Sequence, residues 1–306
     1  MQTPEIPDEF IRRYKDLVDN PEAFFAALQK RMPKAIRINT LKTTRQEVLE
    51  RLKKYGITAT PIPWYQDAFN VDEHTIGTTL DHFMGYIYIQ ELASMLPPLL
   101  VAEELKSAQK ILDACAAPGS KTTQIAAMAP HAQIIANDSD YMRVKALRAN
   151  VDKVGAINVI ITEQDLRRYP QEEKYDLIFL DAPCSAEGTV RKKPDVLTHF
   201  WSHKKVTRFE NLQKQLIIKC FDLLKDKGTM IYSTCTFSTE ENEGVLTYLL
   251  KKRPAQLKEI EIPGLKLTHG VIKWQDKEFD PQVKKAKRLF PHHNNTGGFF
   301  LAKITK

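Results

Sequence analysis

The spacing of apolar residues changes along the chain. Residues 34–40 (KAIRINT) alternate apolar and polar, the period of a half-buried strand. Residues 44–55 instead put Val48, Leu49 and Leu52 on one helical face and stop at Gly56, as a capped helix does. Residues 7–18 and 21–30 read as two earlier helices. Pro7 and Pro21 sit in their first turns, where a missing N–H costs nothing. Residues 57–62 are a further candidate strand. Residues 1–75 are therefore expected to form a small α+β domain. From about residue 86 strands and helices alternate. Strands are expected at 110–114, 132–137, 158–162, 175–180 and 229–233, and helices at 121–128, 141–154 and 210–224. YDLIFL (175–180) is apolar throughout, as a strand buried on both faces should be. Residues 298–304 look like a late edge or hairpin strand. The expected architecture is α/β, a doubly wound sheet over residues 76–306.

Composition narrows the class. The chain has 306 residues with 42% hydrophobic content, enough for a real core. The best membrane candidate, 92–102, is broken by Ser94 and by Pro97-Pro98, far short of the ~20 apolar residues a span needs. The first ten residues carry acids and two prolines and do not make a signal peptide. A cytoplasmic monomer is expected. Cys115, Cys184, Cys220 and Cys235 lack the C-x₂₋₄-C spacing of a zinc site.

Ligands of open parallel sheets bind beyond the carboxyl ends of the strands. After the first strand comes DACAAPGSK (113–121). Its small residues admit a ligand close to the backbone, Gly119 permits a sharp turn, and Ser120 and Thr122 are candidate helix caps. The loop is not G-x-G-x-x-G, so a nucleoside-bearing ligand smaller than a dinucleotide is expected. Asp138 ends the second strand, 19 residues past Gly119, a spacing suited to ribose hydroxyls. Asp165 and Asp181 end the next two strands. Asp at four consecutive strand ends, together with the small-residue loop, argues for a site.

The fourth strand runs into DAPCS (181–185) and the fifth into STCT (233–236). Adjacent strand ends bring Cys184 and Cys235 near one ligand, where a thiol can be activated. Methyl transfer to carbon 5 of cytosine explains the need. A thiolate added at carbon 6 makes carbon 5 nucleophilic, splitting one hard step into two easier ones. Asp181 could support the ring's N3. Spacing alone leaves open which cysteine attacks.

DACAAPGSKT (113–122), DAPCSAEGTVRK (181–192) and YSTCTFSTEENE (232–243) resemble the signatures of the Sun-type (Nol/Nop/Sun) RNA 5-methylcytosine methyltransferases. IRINTLK (36–42), GYIYIQELAS (85–94) and RLFPHHNNTGGFF (288–300) also match that family, so the likeness covers nearly the whole chain. The resemblance implies a class I S-adenosylmethionine-dependent fold behind an RNA-binding, RRM-like region at 1–75. It implies that Cys115, Ala116, Ala117, Pro118, Gly119, Ser120 and Lys121 hold the methionine end of the cofactor. Asp138 would hold the ribose with Arg143 nearby, Asp165 would lie near the adenine, and Asp181 would serve cofactor and target base. Cys235 becomes the nucleophile and Cys184 the residue of product release. Ser120 departs from the usual glycine. Cys220 lies on no motif and is expected to be buried packing.

The net charge of +7 is uneven. Segments 30–54, 191–225 and 266–306 carry +7, +6 and +6, whereas 76–180 carries −3. This suits a polyanion crossing the mouth of an acidic cofactor domain. Arg37, Arg191, Lys192, Lys193, Arg288 and His292 are the expected RNA contacts. Trp64, Tyr65, Phe200, Trp201 and Phe290 are candidates to stack on a splayed base. His292 and His293 lack a third ligand in the sequence, so no metal is expected. The chain ends soon after the catalytic motifs, which favours tRNA over rRNA. Rival readings are a DNA cytosine methyltransferase and a non-catalytic RNA-binding factor. Both cysteine motifs and the intact acids argue against them.

Overall fold

The computed structural model describes residues 6–71, 74–198 and 201–306. Phe200 lies outside the described residues. A small antiparallel sheet comprises β1 (Lys34–Ile38), β2 (Ala59–Ile62), β3 (Tyr65–Val71) and β4 (Ile87–Ile89), in the order β2-β3-β1-β4. One face packs Ile36, Ile38, Phe69 and Ile87 against Val48 and Leu52 of the helix Arg45–Lys54. That helix starts where expected because Thr44 and Glu47 form a reciprocal capping box. The fourth strand comes from beyond the boundary expected at residue 75, since Ile36, Arg37 and Ile38 pair with Ile89, Tyr88 and Ile87. Three residues are too few to announce such a strand by periodicity; its partner selects it.

The large sheet has β5 (Lys110–Asp113), β6 (Gln133–Asp138), β7 (Val159–Glu163), β8 (Tyr175–Asp181) and β9 (Leu224–Thr234), parallel and ordered β7-β6-β5-β8-β9. Then come β10 (Gln256–Lys258), β11 (Thr268–His269), a separate hairpin of β12 (Lys273–Trp274) and β13 (Lys277–Glu278), β14 (Lys287–Leu289) and β15 (Phe299–Thr305). β15 runs antiparallel beside β9 and is followed outward by β14 and β11, while β10 also pairs with β15. Strand order reverses between β5 and β8, where a crevice opens at the carboxyl ends. Burial on both faces is visible residue by residue. Ile111 and Leu177 pack beneath Ile125, Leu147 and Val151 of the helices Ser120–Met128 and Tyr141–Val154. Their neighbours Leu112 and Ile178 pack beneath Leu216, Phe221 and Leu246 of His203–Leu223 and Val245–Lys252.

The first two helices, Asp8–Tyr14 and Pro21–Leu28, join the large half of the molecule. Phe10, Tyr14, Phe24 and Leu28 are buried with Val190, Leu197, Phe237 and Phe290. Burial of each such side chain contributes about 1.5–3 kcal/mol. Residues 1–75 are thus not one independent packing unit. Among the described residues no helix is long and apolar enough to cross a membrane.

Candidate active site

The loop after β5 is built as its residues dictate. Gly119 takes φ +104°, and a Cβ there would meet Leu147 Cδ1 at 2.9 Å. Gly119 itself stands at the helix N-cap, with no side chain capping; the Thr122 hydroxyl donates instead to Asp113 Oδ2 at 2.6 Å. Asp113 is fully buried, its Oδ1 has no partner, and burial raises its carboxyl to about 7. Asp138 Oδ2 accepts from Ala117 N at 3.1 Å, and Arg143 reaches both Asp138 (3.2 Å) and the Ala117 carbonyl (2.7 Å). One cavity is lined by Cys115, Asp138, Arg143, Asp165 and Pro183. Four of the residues expected to hold the cofactor, Cys115, Asp138, Arg143 and Asp165, therefore meet in one place. Asp165 is held below its usual range by Arg167, and burial raises the Cys115 thiol. Cys220 is fully buried, as expected.

A second cavity of about 260 Å³ lies beside the first. Its walls include Gln90, Glu91, Lys121, Asp181, Lys192, Cys235 and Phe299. Cys184 Sγ and Cys235 Sγ lie 3.3 Å apart. Contact with Cys235, then burial, pushes the Cys184 thiol up. Lys121 was expected on the cofactor loop, but its ammonium lines this second cavity and pairs with Asp181 Oδ2 at 2.6 Å. Burial works to lower its pKa; Asp181 more than offsets this and raises it. Asp181 Oδ1 accepts from Ser233 at 2.8 Å, so both carboxylate oxygens face donors.

Each cysteine is gripped from both flanks. Gln213 Nε2 donates to Pro183 O at 2.7 Å, and Ser185 N donates to Glu241 Oε2 at 2.9 Å. Asn242 accepts from Thr234 Oγ1 at 2.6 Å and donates to Thr236 O at 3.0 Å. The Ser185 and Thr236 hydroxyls meet at 2.7 Å, tying the two cysteine loops together. Glu241 and Asn242 sit on Glu240–Gly244, a single π-helical turn on which Glu240, Glu241, Asn242 and Glu243 are all buried, a distortion often found at functional sites. Gln213, Glu241 and Asn242 were missed as site residues. Glu241 and Asn242 fall inside the signature 232–243 but in a polar run that periodicity treats as surface, and Gln213 lies on a helix with no motif.

The RNA contacts fare differently. Arg37 is 1% exposed and donates to Gln90 Oε1 (2.9 Å) and Thr123 Oγ1 (2.8 Å). Arg191 is 7% exposed and donates to the carbonyls of Lys30, Arg31 and Thr296. Arg288 is 2% exposed, pairs with Glu243 and donates to Phe237 O at 2.9 Å. These three are internal struts whose donors are engaged within the fold. The His292 side chain is mostly covered and bonds Asp19 at 2.8 Å. Lys192 and Lys193 are exposed, and Lys192 reaches the second cavity. The third partner that the histidines lacked is Asp19, which also meets His293 at 2.9 Å. Lys266 already pairs with that carboxylate, and both Nδ1 atoms are buried without an acceptor for the proton that metal-bound Nε2 would impose. The trio fits a hydrogen-bonded cluster, with Asp19 accepting from both Nε2 atoms, better than a metal site.

A five-stranded parallel core with a small-residue loop and an acid at its strand ends defines a class I methyltransferase. The chain belongs to the 16S rRNA methyltransferase RsmB/F family, which it matches over residues 100–305. Residues 6–92 match the N-terminal domain of 16S rRNA methyltransferase RsmF. It is 38% identical over 315 residues to the ribosomal RNA small subunit methyltransferase F of Escherichia coli O81 (strain ED1a), covering 99% of this chain and 64% of that protein. Against a methyltransferase homolog protein from Pyrococcus horikoshii the TM-score is 0.80 at 30% identity, covering 98% of this chain and 100% of that one. Against NSun6 from the same organism, solved with SFG, it is 0.83 at 23% identity, covering 98% of each, a likeness of fold.

Proposed function

We propose that the chain methylates carbon 5 of a cytosine in RNA, with Cys235 as nucleophile, and that the RNA is small-subunit rRNA. The observation carrying this reading is the pair of cysteine sulfurs 3.3 Å apart, beside the buried Lys121 ammonium paired with the part-exposed Asp181. One thiol is needed to add to the ring and a second acid–base group to release it. S-adenosylmethionine supplies the methyl group when bound. The cavity lined by Cys115, Asp138, Arg143 and Asp165 offers carboxylates for the hydroxyls of a nucleoside-bearing ligand.

On this reading Lys121 donates to the ring's O2 or N3 while carbon 6 accepts the Cys235 thiolate. Asp181 keeps Lys121 charged and accepts from the exocyclic amine. Bonding of Cys235 to carbon 6 removes the contact that held the Cys184 proton. Cys184, then ionised by loss of that proton to solvent, takes the carbon 5 proton. The carbon–hydrogen electron pair forms the 5,6 double bond, and the carbon 6–sulfur pair returns to Cys235 as thiolate. The small sheet faces the RNA, and exposed Lys192 and Lys193 meet phosphates. The chain spans 64% of the length of the E. coli relative it matches. That relative's name, with the two family matches, favours rRNA over the tRNA expected from the sequence. The test is transfer of labelled methyl from S-adenosylmethionine to matched RNA hairpins from small-subunit rRNA and tRNA and to a DNA hairpin. Labelled 5-methylcytosine in the rRNA hairpin alone is expected. Labelling of DNA only would sink the reading.

A further inference from the structure

A further, wider cavity lies apart from the one lined by Cys235. It is a groove of about 740 Å³ between the small sheet, the helix Pro21–Leu28 and the turn after Pro291. That volume lies within the ~300–1,000 Å³ range of small-molecule sites, with room for a nucleotide rather than a bare ion. Trp64 and Asn70 line it from the small sheet, Lys30 and Arg191 from the other side. No Asp or Glu is among its lining residues, whereas the neighbouring base cavity includes Glu91 and Asp181. The Asn70 amide oxygen is buried and has no partner.

Four segments of chain pass from one cavity wall directly into the other. Lys30, Leu92, Arg191 and Asn295 line the groove; Met32, Glu91, Lys192 and Gly297, one or two residues away, line the base cavity. The groove is therefore next door to the cytosine site, on the side where the acids stop. A base that leaves its stack exposes its neighbours, and single-stranded bases are held by stacking on aromatic rings while cations take the backbone.

The geometry points to a flanking-nucleotide site: the groove takes the nucleotide next to the target cytosine, its base against Trp64 and its phosphate toward exposed Lys30. This rests on the RNA-methylation reading and adds to it a second, sequence-sensing pocket. Arg191 belongs to the groove's frame, since its donors are already used on carbonyls.

The test uses the full chain and a small-subunit rRNA hairpin in which each nucleotide around the target is made abasic in turn. Trp64→Ala is expected to raise the RNA Kd and KM by roughly 5- to 150-fold, the range for losing one aromatic–base stack. Its kcat at saturating RNA and its S-adenosylmethionine affinity should stay unchanged, and Trp64→Phe should restore most of the loss. One abasic position beside the target should weaken the wild type but not Trp64→Ala. If Trp64→Ala does not fold, Lys30→Ala serves; it should lower the slope of log K against log salt by about one. An unchanged KM in Trp64→Ala, or in Lys30→Ala an unchanged salt slope, overturns the proposal. So does an abasic series with no position absorbed by Trp64→Ala. Wild-type binding with the Trp64-dependent pattern but no methyl transfer would support the groove and sink the activity reading. No RNA binding at all would sink both.

Discussion

The loop after β5 and the basic residues around the mouth make an instructive contrast. In the loop, Gly119, Asp138 and Arg143 stand where their spacing put them, because the chemistry is local: a turn, a strand end and a helix start within one β–α–β stretch. Among the basic residues, Arg37, Arg191 and Arg288 face inward, because each is claimed by partners remote in the chain, such as Thr296 for Arg191 and Glu243 for Arg288. A motif is legible when its partners are near in sequence. The exposure of a charge is decided by partners that are not.

The largest expected effect lies on the legible side. Cys235→Ala should abolish methyl transfer, a loss of at least about 10⁴-fold in kcat, while leaving S-adenosylmethionine binding intact in a calorimetric titration. Methyl transfer at the wild-type rate would break the nucleophile assignment. Lys121→Met comes next. Loss of a positioned acid costs about 10²–10⁴-fold, and kcat rather than the cofactor Kd should change. A change in cofactor Kd alone would return Lys121 to the cofactor loop.

Much of the fold could be read from the chain. The helix Tyr141–Val154 begins and ends where its cap Asp140 and its stop at Gly155 put it, and the apolar run in β8 announced burial on both faces. The strands β3 and β4 were not legible, since β4 exists only as a partner to β1. The packing of Phe10, Tyr14 and Phe24 against Phe237 and Phe290 joins residues over 200 positions apart, beyond any local period. At the site, the two cysteines and Asp181 were legible from strand ends. The grips of Gln213, Glu241 and Asn242 were not, because Gln213 sits in the long helix His203–Leu223 and Glu241 and Asn242 in a π-helical turn whose polar residues are all buried, where polarity reads as surface.

Glu241 sharpens that second point. Burial raises its carboxyl from 4.5 to about 7. Between those values the native state holds a proton that the unfolded chain has released. Its stabilisation is full below about pH 4.5 and is lost as pH rises through 7, at most about 3 kcal/mol. Tm should fall from pH 5 to pH 8, and Glu241→Gln should flatten that slope. An equal slope in both proteins would remove Glu241 from the account. The smallest effects separate a strut from a surface charge. Arg191→Ala strands three carbonyls and should cost about 3 kcal/mol, read as a lower Tm. Lys193→Ala should leave Tm alone and weaken RNA binding only a few-fold, more at low salt. A Tm loss in Lys193→Ala equal to that of Arg191→Ala would erase the distinction between the two.

The central claim is that Cys235 bonds to the cytosine and Cys184 ends that bond. It is tested most directly by incubating Cys184→Ala with the rRNA hairpin and S-adenosylmethionine and running a denaturing gel. The account predicts a protein–RNA adduct that disappears when Cys235→Ala is added to the same chain. An adduct formed by Cys235→Ala alone, and not by Cys184→Ala, would contradict it and reverse the two roles.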